Sequence, residues 1–320
     1  MKDMTVVVFG GSGFIGAHLV ARLSAAGARV IVPTRRAERA KHLIFLPRVE
    51  VVETDIHSDA ALHQLMAGKT AAINLVGVLH SRRGEPYGPD FKRAHVELPR
   101  RIVAACAAQR VPRYLHMSAL GADVNGPSMY QRSKADGEIA ARAEPGVAAT
   151  IFRPSVVFGE GDSFLNTFAR MQKWLPFIPL AGAEADFQPV YVGDVAQAFV
   201  NALGDPKTRQ QVFQLGGPQI YSLAELVRLA GRYSHHRRPV FGIPDSLGRL
   251  QARLFELLPG DPVMSRDNLD SMKVDNVVDP AIQAATAAAL GIKLTALEAV
   301  APRYLSPSER FDDFRARAGR

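Results

Sequence analysis

The chain has one cysteine in its 320 residues, Cys106, within the small-residue run RRIVAACAAQR. A single thiol cannot close an internal disulfide. Cysteine and histidine are not spaced as metal ligands, so no metal site is expected. The bland reading of Cys106 is a buried helix residue. Long apolar runs are also missing. No stretch approaches the roughly 20 apolar residues a membrane helix needs, and the apolar start TVVVFGG is cut at once by glycines. It reads as a strand rather than a signal peptide, and a cytoplasmic location is expected. Low-complexity segments and internal repeats are absent. The formal charge is +8, but the basic clusters, Arg35–Arg36–Arg39–Lys41 and Arg232–His235–His236–Arg237–Arg238, are not interleaved with aromatics in the way nucleic-acid stacking platforms are. Nucleic-acid binding is therefore not expected. A basic balance suits an anionic ligand or surface without choosing between them.

What is present is an alternation of strand and helix. Short β-branched runs stand at TVVVFG (5–10), ARVIVPT, VEVVETD (49–55), AAINLVG (71–77), RYLHMSA (113–119) and GVAATIFRPS (146–155). Between the first two, Ile15, Leu19 and Leu23 mark a helix from about Phe14 to Ala26, stopped by Gly27. Strands separated by helices make right-handed crossovers and a parallel sheet covered on both faces. The fold class predicted is α/β, a Rossmann-type doubly wound parallel sheet with a smaller C-terminal α/β lobe. The dinucleotide domain is expected over 1–155 and the lobe over 156–320, with parts of 185–220 returning to the first. The tail SERFDDFRARAGR reads as a charged, frayed end.

The glycine loop is the first functional motif. GGSGFIG places Gly10, Gly13 and Gly16 between a strand and a helix. Gly10 permits the tight turn, Gly13 lets backbone approach a pyrophosphate, and Gly16 lets the helix pack close. Helix N–H groups then face the phosphates, with Ser12, Phe14 and Ile15 on the same path. An NAD site usually carries an acid at the end of the second strand, on the ribose hydroxyls. Here VIVPTRRAER has no carboxylate before Glu38. Arg35 and Arg36 stand in its place, suiting a 2′-phosphate. NADP(H) is expected, with NAD(H) as the alternative, and a solvated basic turn is the bland reading. Asp55 and Ile56 fall where such a site meets the adenine. Gly77, flanked by Val76 and Val78, ends the fourth strand beside the cofactor path.

Tyr130 and Lys134 form Y-x-x-x-K on one helix face. An ammonium beside a phenol stabilises the phenolate. Ser118, at the end of the fifth strand, could bind a substrate oxygen. Together they are a candidate general-acid set for reducing a carbonyl. An incidental Tyr and Lys on a surface helix is the other reading.

Taken together, GGSGFIG, HMSALGA, Tyr130-x-x-x-Lys134 and RPSVVFGEGD resemble the extended and atypical short-chain dehydrogenase/reductases. FKRAHVELPRRIVAAC, QPVYVGDVAQAFVNAL and LGIKLTALEAVAPRYL are similar to one branch, the nucleotide-binding accessory subunit of mitochondrial respiratory complex I and its bacterial relatives. The resemblance implies tightly bound NADPH with Arg35 on the 2′-phosphate. It adds Pro154, Ser155 and Val157 to the expected cofactor contacts. It leaves three functions open. These are an oxidoreductase of quinones or other apolar carbonyls, a non-catalytic NADPH-binding accessory or assembly subunit, and a sugar-nucleotide epimerase. An unidentified small-molecule substrate, and contact with a respiratory complex or membrane surface, are the partners implied. Two departures bear on activity. Tyr130 follows Ser118 by twelve positions, short of the substrate loop of active members, and the Asn expected on the helix after the fourth strand is replaced by His95.

Finally, SLGRLQARLFELLPG sets Leu247, Leu250, Leu254 and Leu257 at helical spacing, with Phe255 and Leu258 nearby and Arg249 and Arg253 between them. The stripe is expected either to pack on the lobe's core or to meet a membrane or partner.

Overall fold

A computed structural model describes residues 1–260, 262–281 and 286–306. The charged tail read from the sequence lies outside them. Six strands follow the alternation: β1 (Thr5–Phe9), β2 (Arg29–Thr34), β3 (Val49–Glu53), β4 (Ala71–Asn74), β5 (Arg113–Met117) and β6 (Ala148–Pro154). A later strand, Val212–Leu215, adds itself beside β6. The seven run in the order Val212–Leu215, β6, β5, β4, β1, β2, β3, with every pairing parallel. β1 and β4 are neighbours although three strands apart in the numbering, so the chain switches direction across the sheet there. The crevice past their carboxyl ends is where doubly wound sheets bind ligands.

The central strand β1 is apolar from Val6 onward because both its faces are covered, whereas β3 at the sheet edge, VEVVE, has no buried residue. Val6, Val7, Val8 and Phe9 are all buried. Val6 and Val8 pack with helix α1 (Phe14–Ala25) and the helix Val192–Gly204, through Leu19, Leu23 and Phe199. Val7 and Phe9 face the helices Asp59–Met66 and Leu98–Ala108, through Leu62, Ile102 and Cys106. α1 ends where Gly27, at φ +83°, turns into the left-handed region, and Ala28 N–H returns to the Leu23 carbonyl at 3.0 Å. β4 stops at Asn74, short of the run read from sequence, because the Asn74 side chain accepts the Val76 N–H at 3.1 Å and takes over from the ladder.

A separate apolar cluster gathers Phe158, Leu165, Phe168, Leu226, Leu269 and Leu305. It holds the helices Phe164–Trp174, Leu223–Tyr233 and Leu297–Leu305 around short strand pairs, one being Ile178–Leu180 with Val240–Gly242. The helix Asp245–Glu256 attaches here by its smallest residues. Gly248 and Ala252 are its only buried positions, and a Cβ on Gly248 would stand 2.4 Å from that of Ala181. Leu247, Leu250, Leu254 and Leu257 are 54%, 57%, 56% and 76% exposed. The leucine stripe therefore does not pack on the lobe's core.

Candidate functional site

The glycine loop bridges β1 and α1 with almost no spare room. Gly10 sits at φ +76°. A Cβ on Gly16 would lie 2.2 Å from the Gly10 carbonyl oxygen and 2.6 Å from Gly11 Cα, so only glycine lets the helix start this close. Gly13 is the N-cap and offers no side-chain acceptor, and the first turn holds no acid. The first intrahelical bond there is Ala17 N–H to the Gly13 carbonyl, 2.9 Å. The N–H groups of Phe14, Ile15 and Gly16 are left without an intrahelical partner. They form an anion cradle beside the half-exposed Ser12. A diphosphate fits such a site on geometry and on charge.

Across the β1–β2 edge, Arg35 and Arg36 are exposed, and neither side chain has a hydrogen bond or ion pair among the described residues. Thr34 is buried and fixes the turn, its Oγ1 donating to the Arg36 carbonyl at 3.1 Å. Arg35 lies close enough to His57 for its charge to help lower that imidazole's pKa, after burial, Arg93 and Arg101. Asp55 closes the same corner by accepting the His57 N–H at 2.9 Å, with Ile56 half-buried between them.

The other side of the crevice holds the Tyr–Lys helix, Met129–Ala141. Ser128 caps it, accepting the Gln131 N–H at 3.1 Å in a capping box. Lys134 is 5% exposed and donates to the Met117 carbonyl at 3.2 Å. Its ammonium is 5.7 Å from the centre of the Tyr130 ring. Burial pulls Lys134 down to about 8, opposed by Glu138, and burial pushes the Tyr130 phenol above its usual range. A Cβ on Gly77 would touch Lys134 Nζ at 3.3 Å and His95 Nε2 at 3.5 Å. The structure thus brings Gly77, Val76 and Val78 together with Tyr130 and Lys134.

His95 replaces the expected amide and makes two directed bonds from a short π-helical segment, Lys92–Glu97. Its Nε2 accepts the Val78 N–H at 3.0 Å. The proton must then sit on Nδ1, 2.9 Å from Ser133 Oγ, which passes its own hydrogen to the Tyr130 carbonyl at 2.8 Å. The ring stacks on Phe91 at 5.2 Å and meets Tyr130 edge-on at 5.6 Å. Burial, then Lys134 and His116, hold His95 well below the usual imidazole pKa.

Ser118 is placed differently from the expectation of a substrate-binding hydroxyl. It is 2% exposed and donates to Glu138 Oε1 at 2.5 Å. Arg153 grips the same carboxylate with two bonds of 2.7 Å. The hydroxyl proton is already used in a buried Ser–Glu–Arg network. Glu138 was legible in principle, since it falls four residues after Lys134 on one helix face. The Ser155 hydroxyl also turns inward, to Asn276 Oδ1 at 2.6 Å. Pro154 accepts the Leu120 N–H at 2.9 Å, and Val157 pairs with Val190. These three are therefore tied into the fold, and any cofactor contact would come from their remaining surface. Asp267, which sequence reasoning missed, accepts the N–H groups of Met129 and Tyr130 at 2.7 and 3.1 Å. It reaches across 137 residues to seat the start of the Tyr–Lys helix, and no local pattern announces it.

A parallel sheet with a glycine cradle at its switch point, and a Tyr–Lys pair across the crevice, defines a Rossmann-type dinucleotide-binding protein. Residues 6–216 match the NAD dependent epimerase/dehydratase family, and the chain belongs to it. Over 285 residues it is 32% identical to NADH dehydrogenase [ubiquinone] 1 alpha subcomplex subunit 9, mitochondrial, of Mus musculus, covering 87% of this chain and 74% of that protein. It is 31% identical over 196 residues to a ceramide reductase of Caulobacter vibrioides, covering 61% of this chain and 59% of that one. Among solved structures, MoeE5 in complex with UDP-glucuronic acid and NAD superposes with a TM-score of 0.73 at 18% identity, over 94% and 97% of the two chains. That likeness is one of fold.

Proposed function

We propose that this chain binds NADP(H) and keeps it as a fixed part of the fold, in the role of an accessory or assembly subunit of a respiratory complex. The observation that carries the reading is Ser118. Its proton is committed to Glu138, and Ala119, the next residue, has no hydroxyl to substitute. The N–H groups of Phe14, Ile15 and Gly16 would hold the diphosphate, and Arg35 the 2′-phosphate. Tyr130 and Lys134 would hold the ribose on the nicotinamide side, beside Gly77. The cofactor supplies hydride chemistry wherever it is bound; here its tight binding to the native state stabilises that state by mass action. The mouse relative, a subunit by name, supports this role.

A reductase of quinones or other apolar carbonyls is the second reading. It is favoured by the Tyr130–Lys134 pair itself, with Lys134 drawn down to about 8, and by the ceramide reductase relative. One experiment separates the two. The purified chain, with the NADPH that copurifies, is exposed to short-chain quinones and to long-chain ketones while absorbance at the reduced nicotinamide band is followed. On the first reading the band persists. Acceptor-dependent oxidation that Tyr130→Phe abolishes would establish the second.

A further inference from the structure

We propose that the C-terminal lobe docks on an anionic phospholipid surface through the helix Asp245–Glu256 and the strand pair that leads into it. The helix is mounted inside out for a water-facing element. Its small residues, Gly248 and Ala252, face the protein, and Leu247, Leu250 and Leu254 face away. The apolar surface continues past the helix into Leu257, Leu258 and Val263, 76%, 61% and 50% exposed. It extends the other way to the strand pair, where the rings of Phe241 and Phe177 meet at a tilt with centroids 5.8 Å apart and are both about half exposed. Just upstream of Phe177 stands Trp174, 80% exposed, with the Lys173 ammonium 5.9 Å from its ring. Exposed apolar groups on this scale mark an interaction site.

The charge pattern selects the occupant. Among the described residues, the acids on and beside this helix, Asp245, Glu256 and Asp270, are ion-paired within the lobe. Asp245 and Asp270 are both bound by Arg249 at 2.7 Å, and Glu256 by Arg266 at 2.6 Å. The cations Lys173, Arg237 and Arg253 are exposed and have no ion pair among the described residues. The Arg238 guanidinium, also exposed, donates to the Gln172 carbonyl at 3.0 Å and has no ion pair among the described residues. From residue 226 to 244 the chain carries Arg228, Arg232, Arg237 and Arg238 and no acid. Leucines and aromatics ringed by uncompensated cations, with a tryptophan beside a lysine, suit the headgroup level of an anionic bilayer. A protein partner built on this patch would need acids of its own. The docking rests on the lobe alone and does not depend on which cofactor the sheet binds.

Trp174 is the chain's one tryptophan, so its emission reports on this face without a label. The full chain is mixed with vesicles of phosphatidylcholine alone or with 30% phosphatidylglycerol (about a third anionic lipid, enough for a clear surface potential), at low and at high salt. Vesicle flotation is measured alongside emission. The expected result is flotation and a blue shift with the anionic vesicles at low salt, both weakened at high salt. The variant Leu250→Glu/Leu254→Glu should lose binding roughly tenfold or more. Circular dichroism and dinucleotide binding of the variant should stay unchanged, because neither leucine supports the core. A chain that stays unfloated, with unshifted emission, on anionic vesicles overturns the proposal. So does a dimer in sedimentation that the same double substitution dissolves, since a second copy then covers the face.

Discussion

The imidazole of His95 accepts the backbone N–H of Val78 at 3.0 Å. This bond ties the segment after β4 to the Tyr–Lys helix, because the other ring nitrogen faces Ser133 on that helix. A neutral, singly protonated ring is required. A protonated ring would aim a second N–H at the Val78 donor.

The pH dependence of stability follows. Burial holds His95 well below the usual imidazole value and His116 at about 3, whereas both take up protons near pH 6.5 in the unfolded chain. The unfolded state binds more protons below that pH, so stability is full above it and falls as pH drops. Each ring contributes a slope of at most about 1.4 kcal/mol per pH unit. Urea titrations between pH 7 and 5.5 should show this decline, and His95→Gln should flatten it. An unchanged slope in the variant would assign the effect elsewhere.

Cofactor choice hangs on Arg35. Arg35→Ala removes a cation available to a 2′-phosphate, a group NADH lacks. A charge-assisted bond of this kind is worth roughly 1.5–3 kcal/mol. NADPH affinity should drop roughly 10- to 100-fold and NADH affinity should stay within about twofold. Calorimetry with both dinucleotides decides it. Equal affinities in the unaltered chain would defeat the NADP(H) assignment.

The loop should reject even one methyl group. Gly16→Ala places Cβ against the Gly10 carbonyl, and dinucleotide binding should vanish with a lowered Tm. Gly146→Ala, where a Cβ meets nothing within 4 Å, is the control and should change neither. Binding retained in the Gly16 variant would mean that the loop can open.

The Ser–Glu–Arg network predicts two unequal losses. Arg153→Ala strands the nearly buried Glu138 carboxylate and should cost about 3–5 kcal/mol. Ser118→Ala removes one hydrogen bond, for about 1 kcal/mol, and should leave NADPH affinity intact. If Ser118→Ala instead abolishes an acceptor-dependent oxidation, the hydroxyl is not confined to structure and the accessory reading fails.

Much of the sheet is legible because a buried parallel strand needs an almost unbroken apolar run, and VVVF and VIVP supply one. The glycine loop is legible for a steric reason, since no other residue satisfies positions 10 and 16. The state of Ser118 is not legible. A hydroxyl after a strand says nothing of where its proton points, and Glu138 and Arg153 claim it only once the helix and β6 are placed. Asp267 is hidden because its partners lie 138 and 137 residues away. The leucine helix is half legible. Periodicity defines the face, but which way it points was decided by Gly248 and Ala252, small enough for close contact on the opposite side.

The lone cysteine has a practical consequence. Cys106 is buried, its thiol 3.6 Å from the Met66 sulfur, and burial pushes it up to about 12. The thiolate is the reactive form, so the native chain is expected to stay unlabelled by a maleimide at neutral pH; mass spectrometry after exposure checks this. A cysteine introduced at the exposed Leu254 would then be the sole reactive handle. A spin label or fluorophore could be placed at the lobe's surface with every native side chain elsewhere kept.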